Sequence, residues 1–305
     1  MREVELSERA PSIHAREQFM TSAPKMIASL DQVSDTYAAV LCDVWGVLHN
    51  GVDSFAPAIE ALTAARARGL AVVLITNAPR PYGDVEAQIR GLGVPADAYD
   101  RIVTSGDVTR ELIRNGPRRI FHIGTERELT LYERLDVELV EEFEASGICC
   151  TGLFDDTTET PEDYGEQLRR LRSRDLPMIC ANPDIVVERG HELAWCAGAL
   201  ARDYGLLGGR TFIAGKPHRP IYQAAFAAAS DVLGREIGAS DCLAIGDGML
   251  TDVKGAVDNG VDVLYVSAGI HAREYGSSQA PDIEMLGRFL AKHSADPVGV
   301  IPMLR

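Results

Sequence analysis

AAVLCDVWGVLHNG, residues 38–51, drops an acidic side chain from the end of an apolar run straight into a glycine-containing loop. The run 38–42 has the length and composition of a buried strand. Asp43 is therefore set at a strand end, where a carboxylate projects and backbone N–H groups face an incoming anion. Much further along, CLAIGDGMLTD repeats the design: the apolar residues 243–245 end in Gly246, Asp247 and Gly248, with Asp252 following. Two carboxylate-bearing loops at the ends of two buried strands point to one site for a hard divalent cation, magnesium above all. Trp45, two positions after Asp43, interrupts this picture with a bulky indole that has only an N–H to offer.

Outward from these loops, AAVLC, LAVVLIT, RIVTS, RIFHIG, LPMICA, TFIAG, CLAIG and VDVLYV read as strands that alternate with longer helical patterns. That alternation predicts an α/β fold, a parallel sheet with helices on both faces. PAIEALTAARARG, 57–69, starts with Pro and ends with Gly, as a crossover helix does. YGEQLRRLRSRD and IYQAAFAAASDVLG are similarly periodic, while the polar, irregular start of the chain reads as a loosely attached arm. The stretch 116–209 has its own strand and helix patterns and the acidic segment LFDDTTETPEDYG. It reads as a domain inserted into a core made of 1–115 and 210–305, closing over the carboxyl ends of the sheet, where α/β proteins bind ligands.

With 305 residues, 46% hydrophobic and 6% aromatic, the chain can bury one large α/β domain and a smaller one. A formal net charge of −15 opposes binding to nucleic acid. Small anionic substrates stay compatible with it where a metal ion and a lysine reverse the sign locally. The six cysteines show no CxxC spacing and mostly sit in apolar runs, as free buried thiols do in a reducing compartment. No stretch approaches the roughly 18 apolar residues of a membrane span, and residues 1–19 lack the apolar core of a signal peptide. A soluble cytoplasmic protein is expected.

Further residues join the two acidic loops. Lys216, in IAGKPHRPIY, sets a cation at the end of an apolar run, able to screen the repulsion between Asp43 and a phosphate. Thr76 and Asn77, after LAVVLI, offer hydroxyl and amide donors to phosphate oxygens, a helix cap or Asx turn being the plainer use of the same residues. Asp247 and Asp252 supply two hard oxygen ligands, or one ligand and its support. A carboxylate placed like Asp43 can attack phosphorus and form an aspartyl-phosphate.

The order D, T, K, then GDGxxxD, each at the end of an apolar strand, resembles the haloacid dehalogenase (HAD) superfamily of phosphohydrolases. DVWGVLHNG, LITNAPRP, a cap-length insertion containing ANPD, AGKPHRP and IGDGMLTD look like subfamily IIA, over residues 24 to about 290. The resemblance implies a Rossmann-like parallel-sheet core, an inserted α/β cap of the C2 type between the second and third motifs, and a magnesium-dependent site. It makes Asp43 the nucleophile and first metal ligand, the backbone carbonyl of Trp45 the second and Asp247 the third. Asp252 then supports the metal shell or Lys216. Thr76 binds the phosphoryl group through its hydroxyl, helped by the Asn77 backbone, and Lys216 holds Asp43 and the phosphate together. ANPD resembles the cap's specificity region, making Asn182, Asp184 and His191 candidates for the leaving group, with Arg80 a candidate for a further anion contact. The implied substrate is a small phosphorylated metabolite such as a sugar phosphate, and a homodimer through the caps is common in such relatives.

One residue departs from this pattern. Most phosphatases of the superfamily carry an Asp two positions after the nucleophile, which protonates the leaving oxygen and later deprotonates the attacking water. Trp45 does neither, and such help is worth about 10²–10⁴-fold in rate. Three outcomes follow: a slow phosphatase, an enzyme with another base such as His49, or a protein that binds a phosphorylated ligand without turnover. A nicotinamide-dependent oxidoreductase is disfavoured, because no G-x-G-x-x-G turn follows the first strand.

Overall fold

The computed structural model describes residues 23–189, 192–277 and 280–305. The chain opens with β1 (Ala39–Cys42), α1 (Ala56–Ala67), β2 (Ala71–Thr76), α2 (Tyr82–Gly91), β3 (Arg101–Thr104) and α3 (Ser105–Arg114). It continues through β4 (Arg119–Ile123), β5 (Glu138–Leu139), β6 (Gly147–Cys150), α4 (Gly165–Ser173) and β7 (Met178–Cys180). A hairpin of β8 (Val186–Arg189) and β9 (Glu192–Trp195) leads to α5 (Ala197–Leu206) and β10 (Thr211–Ile213). The last part is α6 (Arg219–Leu233), β11 (Cys242–Gly246), α7 (Lys254–Asp258), β12 (Asp262–Val266), α8 (Ile283–Lys292) and β13 (Gly299–Ile301).

Six strands form one parallel sheet in the order β13-β12-β11-β1-β2-β3. Its central strands β1, β2 and β11 are buried at every position, which is why they read as unbroken apolar runs rather than alternating ones. Alternate side chains still divide between two faces. Ala39 and Leu41 pack with Ile221, Tyr222 and Ala225 of α6 and Leu286 and Phe289 of α8, while Val40 and Cys42 pack with Leu62 and Ala65 of α1 and Val85 and Ile89 of α2. The expected α/β core with helices on both faces is the observed one. Among the described residues no helix is long and apolar enough to cross a membrane.

A second parallel sheet, β10-β7-β6-β4-β5, lies between the two halves of the first in sequence. Met178 and Cys180 face Leu168 and Leu171 of α4 and Leu200 and Tyr204 of α5, and Ile179 on the other side meets Ile113 of α3. Four of its strands fall within the expected insertion, 116–209, and the fifth, β10, lies just beyond it, so we place the end of the insertion after Ile213. The polar arm at the start of the chain falls almost wholly outside the described residues.

Parallel pairing puts the carboxyl ends of neighbouring strands side by side. Cys42 is level with Ile245 of β11 and Leu74 of β2, so the residues just beyond them, Asp43, Gly246–Asp247 and Ile75–Thr76, emerge at one edge of the sheet.

Candidate active site

Asp43 is tied down by its own amide, which donates to Ile245 O at 2.8 Å. Its carboxylate accepts from Lys216 Nζ at 2.5 Å, and the same ammonium donates to Asp252 Oδ1 at 2.6 Å and to Ile75 O at 3.2 Å. Lys216 is 2% exposed and Asp43 6%, so this bridge lies out of bulk water. Burial pushes the Asp43 carboxyl well above the usual range, and the negative charge of Asp252 pushes it further, against the pull of Lys216. Burial works against the Lys216 charge as well, but Asp252 and Asp43 overcome it and hold the ammonium well above its ordinary value.

The loop after β11 completes the floor. Asp252 Oδ2 accepts from Gly248 N at 3.0 Å, and Asp247 Oδ2 accepts from Ile270 N at 2.8 Å. Burial and the neighbouring Asp252 raise Asp247 to about 7. Asp43, Asp247 and Asp252 can each bring a carboxylate oxygen within 4.8 Å of the others. Three buried carboxylates face one ammonium, an arrangement that favours a further cation. The donors are all hard oxygens, so the set fits magnesium and not a soft metal. Gly46, at φ +87°, lets the first loop pass this close: a Cβ there would lie 2.4 Å from Asp247 Oδ2.

Asn77 knits β2 to the Lys216 segment and to the second sheet. Its Oδ1 accepts from Lys216 N at 2.7 Å, and its Nδ2 donates to Lys216 O at 3.3 Å and to Asp184 Oδ1 at 2.9 Å. Asp184 follows β7, and its amide donates to Asn182 Oδ1 at 3.0 Å. Burial raises the Asp184 carboxyl to about 6, with Asn77 and Lys216 opposing. Thr76 Oγ1 accepts from Ala78 N at 3.2 Å, which leaves the hydroxyl proton free to be donated elsewhere.

These groups surround a cavity of about 70 Å³ lined by Asp43, Trp45, Thr76, Asn77, Asp184, Lys216, Asp247 and Asp252. Eight sequence-predicted residues thus meet at one place. Arg80 and Asn182 are not among the lining residues: Arg80 donates to Gln88 Oε1 on α2, and buried Asn182 braces the turn before Asp184. His191 lies outside the described residues. The lining also includes Val186 and Val187 of the β8–β9 hairpin, and Ile270, whose amide holds Asp247. The hairpin had no clear signal beyond following ANPD, whereas VSAGI, after the strand VDVLYV, was a legible strand-end loop. A larger hollow beside Arg66 and Asp100 lies at the amino ends of β2 and β3, and there Arg66 is already paired to Asp100 at 2.5 Å.

The indole of Trp45 folds back over its own loop. Its ring meets that of His49 edge-on, centroids 5.0 Å apart, and packs where a Cβ on Gly51 would lie, 2.7 Å from the ring. His49 is 1% exposed, and its Nδ1 accepts from Gly51 N at 2.9 Å. Burial and the nearby Arg80 lower it to about 4, so it is neutral with one ring nitrogen committed to the turn.

Comparison with known proteins gives the family. Residues 40–138 match the family model for haloacid dehalogenase-like hydrolase, and residues 213–289 match an HAD-hydrolase-like model. A crystal structure of a haloacid dehalogenase-like family hydrolase from Brucella suis 1330 is 60% identical, with TM-score 0.83, over 92% of this chain and 100% of that one. A possible sugar phosphatase of the HAD superfamily from Cytophaga hutchinsonii shares the fold at 20% identity and TM-score 0.73, over 92% of this chain and 99% of that one. The 5'-nucleotidase YutF of Bacillus subtilis is 25% identical over 244 residues, 79% of this chain and 91% of its own length. Two matched segments, and three-fifths identity across nearly the whole chain, have one reading: the protein belongs to the haloacid dehalogenase-like hydrolases, in the subfamily IIA arrangement.

Proposed function

We propose that the protein is a cytoplasmic, magnesium-dependent phosphatase or phosphotransferase that acts on a small phosphorylated metabolite through an aspartyl-phosphate on Asp43. The observation that carries this reading is the buried bridge from Asp43 through Lys216 to Asp252, with Asp247 beside it. Asp43 and Asp247, with the main-chain carbonyl of Trp45, would hold the metal, which when bound supplies positive charge against the phosphoryl oxygens. Lys216 holds the Asp43 carboxylate in place and offsets its repulsion for the incoming phosphate. The Thr76 hydroxyl and the Asn77 amide donate to phosphoryl oxygens. A cavity of about 70 Å³ is far below the ~300–1,000 Å³ of sites for larger ligands, which favours a small substrate. The sugar phosphatase name of one relative, together with the small cavity, makes a small sugar phosphate the first choice.

The test is hydrolysis of p-nitrophenyl phosphate with and without magnesium, beside Asp43→Asn. Activity lost in both controls is expected, and activity equal to the Asp43→Asn background in the native protein sinks the reading. A second reading, ligand binding without turnover, is favoured by Trp45, whose indole is neither acid nor base at working pH, and by the engaged Nδ1 of His49. We also propose a homodimer through the caps, where Leu206, Leu207 and Phe212 are exposed; a monomer mass by light scattering would refute it.

A further inference from the structure

The breaking bond to a poor leaving group needs a proton, and the cavity wall contains few sources of one. Lys216 is pinned between two carboxylates and held charged. Asp43 is the nucleophile, Asp247 belongs with the metal, and Asp252 is spent on Lys216 and Gly248 N. Threonine hydroxyls and the Trp45 indole are not acids at working pH, and His49 is not among the lining residues. The remaining carboxyl is Asp184. It joins the lining from the loop after β7 of the second sheet. Its hydrogen-bonded side-chain partner is the neutral amide of Asn77, so no cation is bound to it directly.

Building on the phosphatase reading, we propose that Asp184 is the general acid and base of this protein, doing from the cap what Trp45 cannot do from the core. A carboxylate oxygen of Asp43 forms a bond to phosphorus. The bond from phosphorus to the leaving oxygen breaks with its electron pair on that oxygen, which takes the proton of Asp184 and departs as an alcohol. The Asp184 carboxylate then takes a proton from water as the water oxygen bonds to phosphorus. The bond from phosphorus to Asp43 breaks, inorganic phosphate leaves, and Asp184 is again protonated. Its raised carboxyl, at about 6, suits both halves of this cycle near neutral pH. The hydrogen bond from Asn77 holds the group in place, and Asn182 fixes the turn that presents it.

The experiment compares kcat/KM of the native protein and Asp184→Asn on phosphate monoesters whose leaving groups run from p-nitrophenol to simple alkyl alcohols. Asn at 184 keeps an oxygen for Asn77 Nδ2, so the tie between core and cap persists; kcat/KM on p-nitrophenyl phosphate, which excludes the later water-attack step that Asp184 also serves, reports folding. The expected result is a loss of less than about 3-fold on p-nitrophenyl phosphate, growing to about 10²–10⁴-fold on alkyl phosphates. Asp184→Glu should restore part of the alkyl activity. An equal loss on every ester would make Asp184 only a brace between core and cap and overturn the proposal, as would no loss on alkyl esters. If the native protein lacks Asp43-dependent hydrolysis even of p-nitrophenyl phosphate, the phosphatase reading falls and takes the proposal with it.

Discussion

Asn77 and Lys216, 139 residues apart in the chain, are joined twice: the Asn77 side chain accepts from the Lys216 amide and donates to the Lys216 carbonyl. One side chain thus occupies both polar groups of a backbone segment that has no strand neighbour there, and the position of the Lys216 ammonium follows from it.

Asn77→Ala removes both bonds and the one to Asp184, leaving a buried Lys216 N–H without a partner. Such a group costs about 1–3 kcal/mol. A lowered urea midpoint and at least about a tenfold loss of p-nitrophenyl phosphate hydrolysis are expected. An unchanged midpoint would show that the segment holds its place without Asn77.

Magnesium should stabilise the protein, because Asp43, Asp247 and Asp252 outnumber the one ammonium among them. A ligand at about 100 times its Kd contributes about 2.7 kcal/mol. Thermal melting with added magnesium against chelator reads this directly, and Asp247→Asn should shrink the difference. An equal response in that variant would move the metal away from Asp247.

Gly46→Ala puts a Cβ 2.4 Å from Asp247 Oδ2 at a φ of +87°, which only glycine adopts without strain. Either the loop or Asp247 has to move. At least about a tenfold weaker magnesium response is expected in the same melting assay, and a wild-type response would contradict the close approach.

His49 gives a pH dependence of defined sign. Its folded value, about 4, lies below its unfolded one, so the unfolded chain takes up the proton first as pH falls. The stability from neutral His49 is present at pH 7 and is lost between about 6.5 and 4, by on the order of 3 kcal/mol in all. Buried carboxylates with raised values, such as Asp184 and Asp247, slope the other way, so the difference between native protein and His49→Asn carries the sign. Asn keeps an acceptor for Gly51 N. The native protein should lose more stability than the variant between pH 7 and 5, as read by urea midpoints.

Much of this was legible in the chain. All eight strands expected from the sequence are present, and the central ones, 39–42, 71–76 and 242–246, are buried on both faces and so are apolar at almost every position. β6, GICC, has the same burial but is short and follows a polar stretch, and β5, β8 and β9 pair through backbone groups with little apolar signature. Asp43, Thr76, Lys216 and Asp247 stood out because each ends an apolar run. Arg80 had only its closeness to the LITN motif to single it out, and its guanidinium turns to Gln88 of α2.

The sequence by itself determined the parallel core, the order of its acidic and basic loop residues and the presence of a bulky indole after Asp43, since strand burial and strand-end position are local properties of composition. Only the tertiary structure decided which carboxylates share Lys216, that Trp45 folds back onto His49 and Gly51, and that Asp184 meets Asn77 from another sheet. Those are contacts across up to 173 residues of chain, set by how two sheets pack, and no local pattern encodes a distance between them.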